Sequence, residues 1–208
     1  MKIPLIKADL PDFEAVKAQF EEILGNGKIT NFGKYVTEFE EETGKYLGTQ
    51  TATISSGTMG LVFTLQALGL KPGEKVILPS FTFMATAQAV LYAGGVPMFT
   101  EVGEDLTLSL DDLKKILEQR HDVSVVIPVH MYGLPCQVEP IEQIVKQASK
   151  RKGREIRVLY DAAHAFGASV NGRRVDFESK HGTHPTSSQN AKLRYRRKLQ
   201  RSLTRAQR

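Results

Sequence analysis

A single acid closes the short apolar run Arg157-Val158-Leu159-Tyr160-Asp161, and Ala162, Ala163, His164, Ala165, Phe166 and Gly167 follow it. Such a run reads as a buried parallel strand, and open α/β sheets gather ligands at the carboxyl ends of their strands. Asp161 therefore stands where a strand would deliver one carboxylate into a crevice. The two small alanines leave room beside it for something flat. The plainer use of a strand-terminal aspartate is to cap the next helix. Three upstream stretches end strands in the same manner. Thr53-Ile54-Ser55-Ser56-Gly57-Thr58 reads as strand, small-residue turn and helix start. The free amides of a first helical turn, its dipole and the hydroxyls of Ser56 and Thr58 together make an anion site that a phosphate fits. Each charge–dipole contact contributes only ~0.3–1 kcal/mol, so several must converge, and the same residues also make a plain cap. Pro79-Ser80-Phe81-Thr82-Phe83 brings Phe83 to the same edge, to stack on a flat ring or to fill the core. Val129-His130-Met131-Tyr132-Gly133 brings His130, which in such a place is more often structural than reactive.

These residues need elements to place them, and the chain supplies a strict alternation. Residues 12–24 space Phe13, Val16, Phe20 and Ile23 as one helical face, and Gly25 marks the stop. A second amphipathic helix carries Val36, Phe39, Thr43, Tyr46 and Leu47, with Gly48 behind it. A strand over 51–55 then leads into a helix bearing Leu61, Val62, Leu65 and Leu68. Pro72-Gly73 turns the chain into a strand over 76–78, and a helix covers 82–92. Gly94-Gly95 precedes a strand over 96–102, and Ser109 with Asp112 predicts a capping box for a helix over 110–119. Residues 123–129 form an apolar strand, a helix spans 138–152, and the Asp161 strand comes next. Asn171-Gly172 then marks a hairpin turn. Strands alternating with helices of this length predict βαβ units and an α/β fold, a mostly parallel sheet flanked by helices.

At 208 residues the chain is long enough for one large α/β domain. Its formal charge of +5 suggests a polyanion partner, but the charge is unevenly spread. Residues 176–208 carry nine Lys/Arg against two Asp/Glu, a net +7, whereas residues 1–175 come to −2. The one cysteine, Cys136, excludes an intramolecular disulfide. No apolar run has signal-peptide or membrane-spanning length, so a cytoplasmic protein without membrane contact is expected.

A phosphate site, a ring face and a carboxylate for a ring nitrogen describe pyridoxal 5'-phosphate. A carboxylate facing a pyridine nitrogen keeps it protonated, a charge-assisted contact of ~1.5–3 kcal/mol, and the protonated ring withdraws electrons from a carbanion. The motifs together resemble the sugar aminotransferases of the DegT/DnrJ/EryC1/StrS family. The resemblance rests on Ser55-Ser56-Gly57-Thr58, Gly69-Leu70-Lys71-Pro72-Gly73-Glu74-Lys75-Val76-Ile77 and Pro79-Ser80-Phe81-Thr82-Phe83-Met84-Ala85-Thr86. It continues in Pro128-Val129-His130-Met131-Tyr132-Gly133 and Asp161-Ala162-Ala163-His164-Ala165-Phe166-Gly167-Ala168. It covers roughly residues 1–175 and implies the large, cofactor-binding domain of a fold type I pyridoxal-phosphate enzyme. By this resemblance Gly57 and Thr58 hold the phosphate and Phe83 stacks on the ring. Asp161 pairs with the ring nitrogen, and His164 lies near the phenolic oxygen. The loop over 27–32 looks like the family's substrate-facing segment. The resemblance also implies glutamate as amino donor, a nucleotide-linked keto sugar as acceptor, and a homodimer with sites at its interface.

After Val175 the resemblance stops. The family continues with a Ser-Phe-His-type stretch and the lysine that holds the cofactor covalently. Here Asp176-Phe177-Glu178-Ser179-Lys180-His181-Gly182 follows, and neither Lys180 nor Lys192 stands in that context. No catalytic residue is therefore assigned, and a smaller C-terminal domain is absent from the reading. Residues 176–208 are expected to be a basic, disordered tail, since they hold too little apolar surface to offset their ordering entropy. A shifted reading frame, a splice variant or an assembly error would produce such a switch. A basic arm for nucleic acid is the functional alternative, with only Tyr195 as aromatic support. The expectation is thus an aminotransferase chain that is inactive as written. The alternatives are a non-catalytic remnant binding cofactor or a partner subunit, and a sugar dehydratase using the aminated cofactor.

Overall fold

The computed structural model describes residues 10–30, 32–170 and 173–174. The basic stretch 176–208 and the Asn171-Gly172 turn lie outside the described residues. The chain divides into two compact units, Met1–Tyr46 with Gln50–Thr53, and Leu47–Thr49 with Ile54–Arg208.

The first unit is built on helices α1 (Phe13–Asn26) and α2 (Lys34–Leu47). Asp12 caps α1 by accepting from the Glu14 amide at 3.2 Å. The helix runs through Gly25, where a stop is expected, and ends at Gly27 in the left-handed region with φ 64°. A glycine inside a helix costs only about 1 kcal/mol, whereas the left-handed residue cannot continue it. Lys34 Nζ and the Tyr35 hydroxyl donate to the Glu22 carboxylate at 2.9 and 2.6 Å, fastening α2 to α1. The strand expected over 51–55 is not formed. The Thr53 amide and hydroxyl are both spent on Glu40 Oε1, at 2.6 and 2.7 Å, and the Thr51 hydroxyl on the Glu40 carbonyl. A β-branched run makes a strand only where a ladder accepts its donors, and here a carboxylate accepts them first.

The second unit alternates as expected: α3 (Gly57–Ala67), β1 (Lys75–Pro79), α4 (Met84–Tyr92), β2 (Val96–Thr100), α5 (Leu110–Gln119), β3 (Val123–Val126), α6 (Val138–Lys152) and β4 (Arg157–Val158). The four strands form one parallel sheet in the order β2-β1-β3-β4. A short antiparallel pair, β5 (Ser169–Val170) with β6 (Arg173–Arg174), brackets the expected hairpin turn. Side chains of successive strand residues point to opposite faces, and the core follows that rule. Val76, Leu78, Val125, Ile127 and Leu159 pack with Leu65 of α3 and Val90 of α4. Ile77, Val123 and Val126 pack with Leu113 and Leu117 of α5 and with Ile141 and Val145 of α6. Each of these buried residues contributes ~1.5–3 kcal/mol relative to leaving it in water.

Val123 and Val125 are two residues apart yet face opposite cores. The pairing explains it: Lys75 is opposite Val123 and Val76 opposite Val125, so Ser124 is an extra residue and β3 bulges there. Its hydroxyl accepts from Arg154 Nη2 at 2.5 Å. Only half of the expected capping box forms at α5. Ser109 Oγ accepts from the Asp112 amide at 3.4 Å, but the Asp112 carboxylate takes the Glu101 amide instead, at 2.9 Å. Aspartate is one methylene shorter than the glutamate that reaches back in a complete box.

Candidate functional site

Three connections leave the carboxyl end of the sheet carrying chemistry, and a helix start joins them. Ser56 caps α3, its Oγ accepting from the Met59 amide at 3.3 Å. Gly57 and Thr58 then occupy the first two helical positions, whose amides have no partner within the helix. Apart from its chain neighbours and its own helix backbone, nothing lies within 4 Å of where a Gly57 Cβ would sit, so the backbone there is open to a close approach. After β1 the chain runs through Phe81 and Thr82 to Phe83, the N-cap position of α4, whose ring is 72% exposed. After β3 an isolated parallel bridge pairs Val129 with Asp161. The Asp161 amide donates to the Pro128 carbonyl at 2.9 Å, and its carbonyl accepts from the His130 amide at 3.0 Å. The aspartate backbone is thus locked to the neighbouring strand on both sides.

Asp161 is two residues beyond Leu159, which packs in the α3–α4 core, so its side chain leaves the sheet on that same face. There Oδ2 accepts from the Thr86 hydroxyl of α4 at 3.1 Å, and Oδ1 accepts from the Ala163 amide at 3.2 Å. The Thr86 hydroxyl is in turn 2.9 Å from that of Thr82.

His130 leaves on the opposite face and is buried. Its Nδ1 accepts from the Cys136 amide at 3.0 Å, and its ring stacks on Tyr160 at 5.6 Å between centroids and 9° between planes. Burial pushes the Cys136 thiol up to about 12 and raises the Tyr160 phenol well above its ordinary value. Both therefore stay neutral beside the imidazole. His130 is a structural histidine, as its residue type alone suggests.

The segment after His130 turns back sharply. The Leu134 amide donates to the Met131 carbonyl at 2.7 Å, and both central residues, Tyr132 (φ 51°) and Gly133 (φ 79°), are left-handed. That combination is a type I′ turn, which favours asparagine or glycine where Tyr132 stands. The Tyr132 ring stacks on His164 at 5.8 Å and lies 6.3 Å from Phe81. Its amide donates to His164 Nδ1 at 3.4 Å.

Gly57, Thr58, Phe83, Asp161 and His164 line one crevice of about 390 Å³. The five residues expected to bind a cofactor are therefore brought together. The loop over 27–32 belongs to the first unit, and its Asn31 lies outside the described residues. Sequence reasoning gave no role to Thr82, Thr86 or the Tyr132 turn. The quoted Pro79–Thr86 motif contains both threonines, but their link to Asp161 spans 75 positions. The crevice offers a helix start for an anion, a carboxylate for a protonated nitrogen and an exposed aromatic face. Those features fit an aromatic phosphate ester.

Comparison with known proteins points the same way. The model of the DegT/DnrJ/EryC1/StrS aminotransferase family matches residues 12–183. GDP-perosamine synthase of Vibrio cholerae is 30% identical over 175 residues, 83% of this chain and 45% of that one. The dTDP-4-amino-4,6-dideoxy-D-glucose transaminase of Escherichia coli is 33% identical over 174 residues, again 83% of this chain and 44% of the relative. Among solved structures, NtdA of Bacillus subtilis with bound cofactor PMP superposes with a TM-score of 0.66 and 32% identity. The superposition covers 78% of this chain and 36% of that one. The chain spans less than half the length of the curated relatives it matches.

Proposed function

The chain belongs to the DegT/DnrJ/EryC1/StrS aminotransferase family, and from that premise we propose that its crevice holds pyridoxal phosphate. The activity it serves is transfer of an amino group from glutamate to the keto group of a nucleotide-linked sugar. One observation carries the reading: Gly57 and Thr58 at the start of α3, Phe83 and Asp161 line a single crevice. The relatives' names support the substrate class, since GDP-perosamine and dTDP-4-amino-4,6-dideoxy-D-glucose are both nucleotide-linked amino sugars. When bound, the cofactor supplies an electron-withdrawing ring to the carbon that gains or loses nitrogen. The amides of Gly57 and Thr58, with the Thr58 hydroxyl, would hold the phosphate at the positive end of α3. Asp161 would keep the proton on the pyridine nitrogen, Phe83 would cover one ring face, and His164 would lie near the phenolic oxygen.

In this reading residues 1–175 form the cofactor-binding domain and 176–208 a basic tail, and the working enzyme is a cytoplasmic homodimer. Among the described residues no helix is long and apolar enough to cross a membrane. The 208-residue chain alone is inactive with glutamate and keto sugars. Lys180 falls inside the matched residues but lacks the Ser-Phe-His context in which the family places its covalent lysine.

The test is to titrate the chain with pyridoxal phosphate, then to reduce with borohydride and map peptides. Saturable binding is expected, weakened ~10–100-fold by Asp161→Asn through loss of a charge-assisted bond, and less by Thr58→Val. Mapping should find only diffuse lysine label. Absence of saturable binding would overturn the cofactor reading. Stoichiometric label on Lys180 or Lys192 with turnover would overturn the inactivity.

A further inference from the structure

We propose that Thr82 and Thr86 form a positioning relay that aims the Asp161 carboxylate and so sets the protonation of the ring nitrogen it faces; this rests on the pyridoxal-phosphate reading above. The direction of the relay follows from chemistry. An aspartate carboxylate can only accept, so the Thr86 hydroxyl must donate its one hydrogen to Oδ2 across 3.1 Å. Toward Thr82, at 2.9 Å, Thr86 can then only accept, and Thr82 is the donor.

Thr86 bonds differently from two other helical threonines, Thr37 and Thr64. Thr37 and Thr64 both turn their hydroxyls back to the carbonyl four residues earlier, Gly33 and Gly60, at 3.3 and 2.8 Å. Thr86 instead reaches out of α4 to an acid 75 positions away. Its relative exposure is 0%, so water does not compete for the bond.

With Thr86 on Oδ2 and the Ala163 amide on Oδ1, each carboxylate oxygen has one fixed donor. The plane of the carboxylate is thereby set, and its remaining lone pairs are left for the crevice. Without Thr86 the group can rotate about its terminal torsion, which is broad for aspartate. A rotated carboxylate no longer meets the ring nitrogen in line, and the protonated form of that nitrogen loses its support.

The probe is pyridoxamine phosphate carrying ¹⁵N in its ring, which needs no covalent lysine. It is added to the 208-residue chain and to Thr86→Val, Thr86→Ser and Thr82→Val, each checked by far-ultraviolet circular dichroism. The unaltered chain should bind it with the nitrogen resonance of a pyridinium. Thr86→Val should bind about tenfold more weakly and shift the resonance toward neutral pyridine, while Thr86→Ser restores both. Thr82→Val should shift it the same way by less. If Thr86→Val and Thr82→Val leave the resonance where it is, the relay is wrong and the cofactor reading stands. If Thr86→Val does not fold, an unmoved resonance in Thr82→Val is enough to overturn the relay. If the unaltered chain binds no pyridoxamine phosphate, the cofactor reading falls and the relay with it.

Discussion

Cys136, the chain's only thiol, sits 3.3 Å from His130 Nδ1, an arrangement that in an exposed cleft would suggest a nucleophile. Burial decides otherwise. The residue is 4% exposed, and removing its thiolate from water raises the thiol to about 12. The thiolate is the reactive form, so the native chain at pH 8 should resist iodoacetamide and be alkylated once denatured. Mass spectrometry reads this directly, since a single site can gain label; prompt labelling of the folded chain would contradict the burial. The role of His130 could be judged from its residue type, because a histidine at the end of an apolar strand is usually satisfied. The role of Thr86 could not, because a threonine in a helix has no signature of its own. What it touches is decided by which face Asp161 leaves the sheet on.

Elements show the same division. The alternation of strand and helix is visible in the periods of the apolar residues, and the positions of α5 and α6 match expectation to the residue. The bulge at Ser124 is not visible, since a serine between valines still reads as continuous strand. Nor is the type I′ turn, because Tyr132 is a poor residue for it. A non-glycine residue in the left-handed region costs ~1–2 kcal/mol. The contacts of the Tyr132 ring with His164 and Phe81 offset this at ~0.5–1.5 kcal/mol each. Two variants separate the terms. Tyr132→Ala loses the rings and keeps the strain, whereas Tyr132→Gly loses the rings and relieves it. In urea unfolding the glycine variant should therefore be the more stable by about 1 kcal/mol, the reverse of the usual order. Equal midpoints would mean that the turn is not held left-handed in solution.

For the second unit as a whole, stability and chemistry lie at opposite ends of the sheet. At the amino ends of the strands, Glu74 accepts from the Lys71 amide at 2.9 Å, and Arg154 Nη2 bridges Glu74 Oε1 and Ser124. Burial pushes the Glu74 carboxyl up, but the Lys71 amide, Ser124 and Arg154 together bring it below its ordinary 4.5. A carboxyl lowered in the fold contributes stability that is fully present above pH 4.5 and lost as pH falls through the folded value. Urea midpoints should thus drop below pH 4.5, and Glu74→Gln should flatten that drop while leaving pyridoxal-phosphate binding at neutral pH unchanged. A drop of equal size in the variant would remove Glu74 from the account. The parallel sheet and its flanking helices were legible from periodicity. The absence of a strand over 51–55 was not, because strand formation depends on a neighbour that local sequence does not name. The order β2-β1-β3-β4 also has a consequence in time. Every pairing in it joins strands separated by a helix or more, so none can form as a local hairpin. The crevice needs Gly57 at one end of this span and His164 at the other, a separation of about a hundred residues that a ribosome takes ~5–20 s to traverse. For ~2–9 s of that interval β1 has been made and β3 has not. The apolar edge of Val76, Ile77 and Leu78 must then wait for its second neighbour, which makes a nascent chain of this length a natural client for a chaperone.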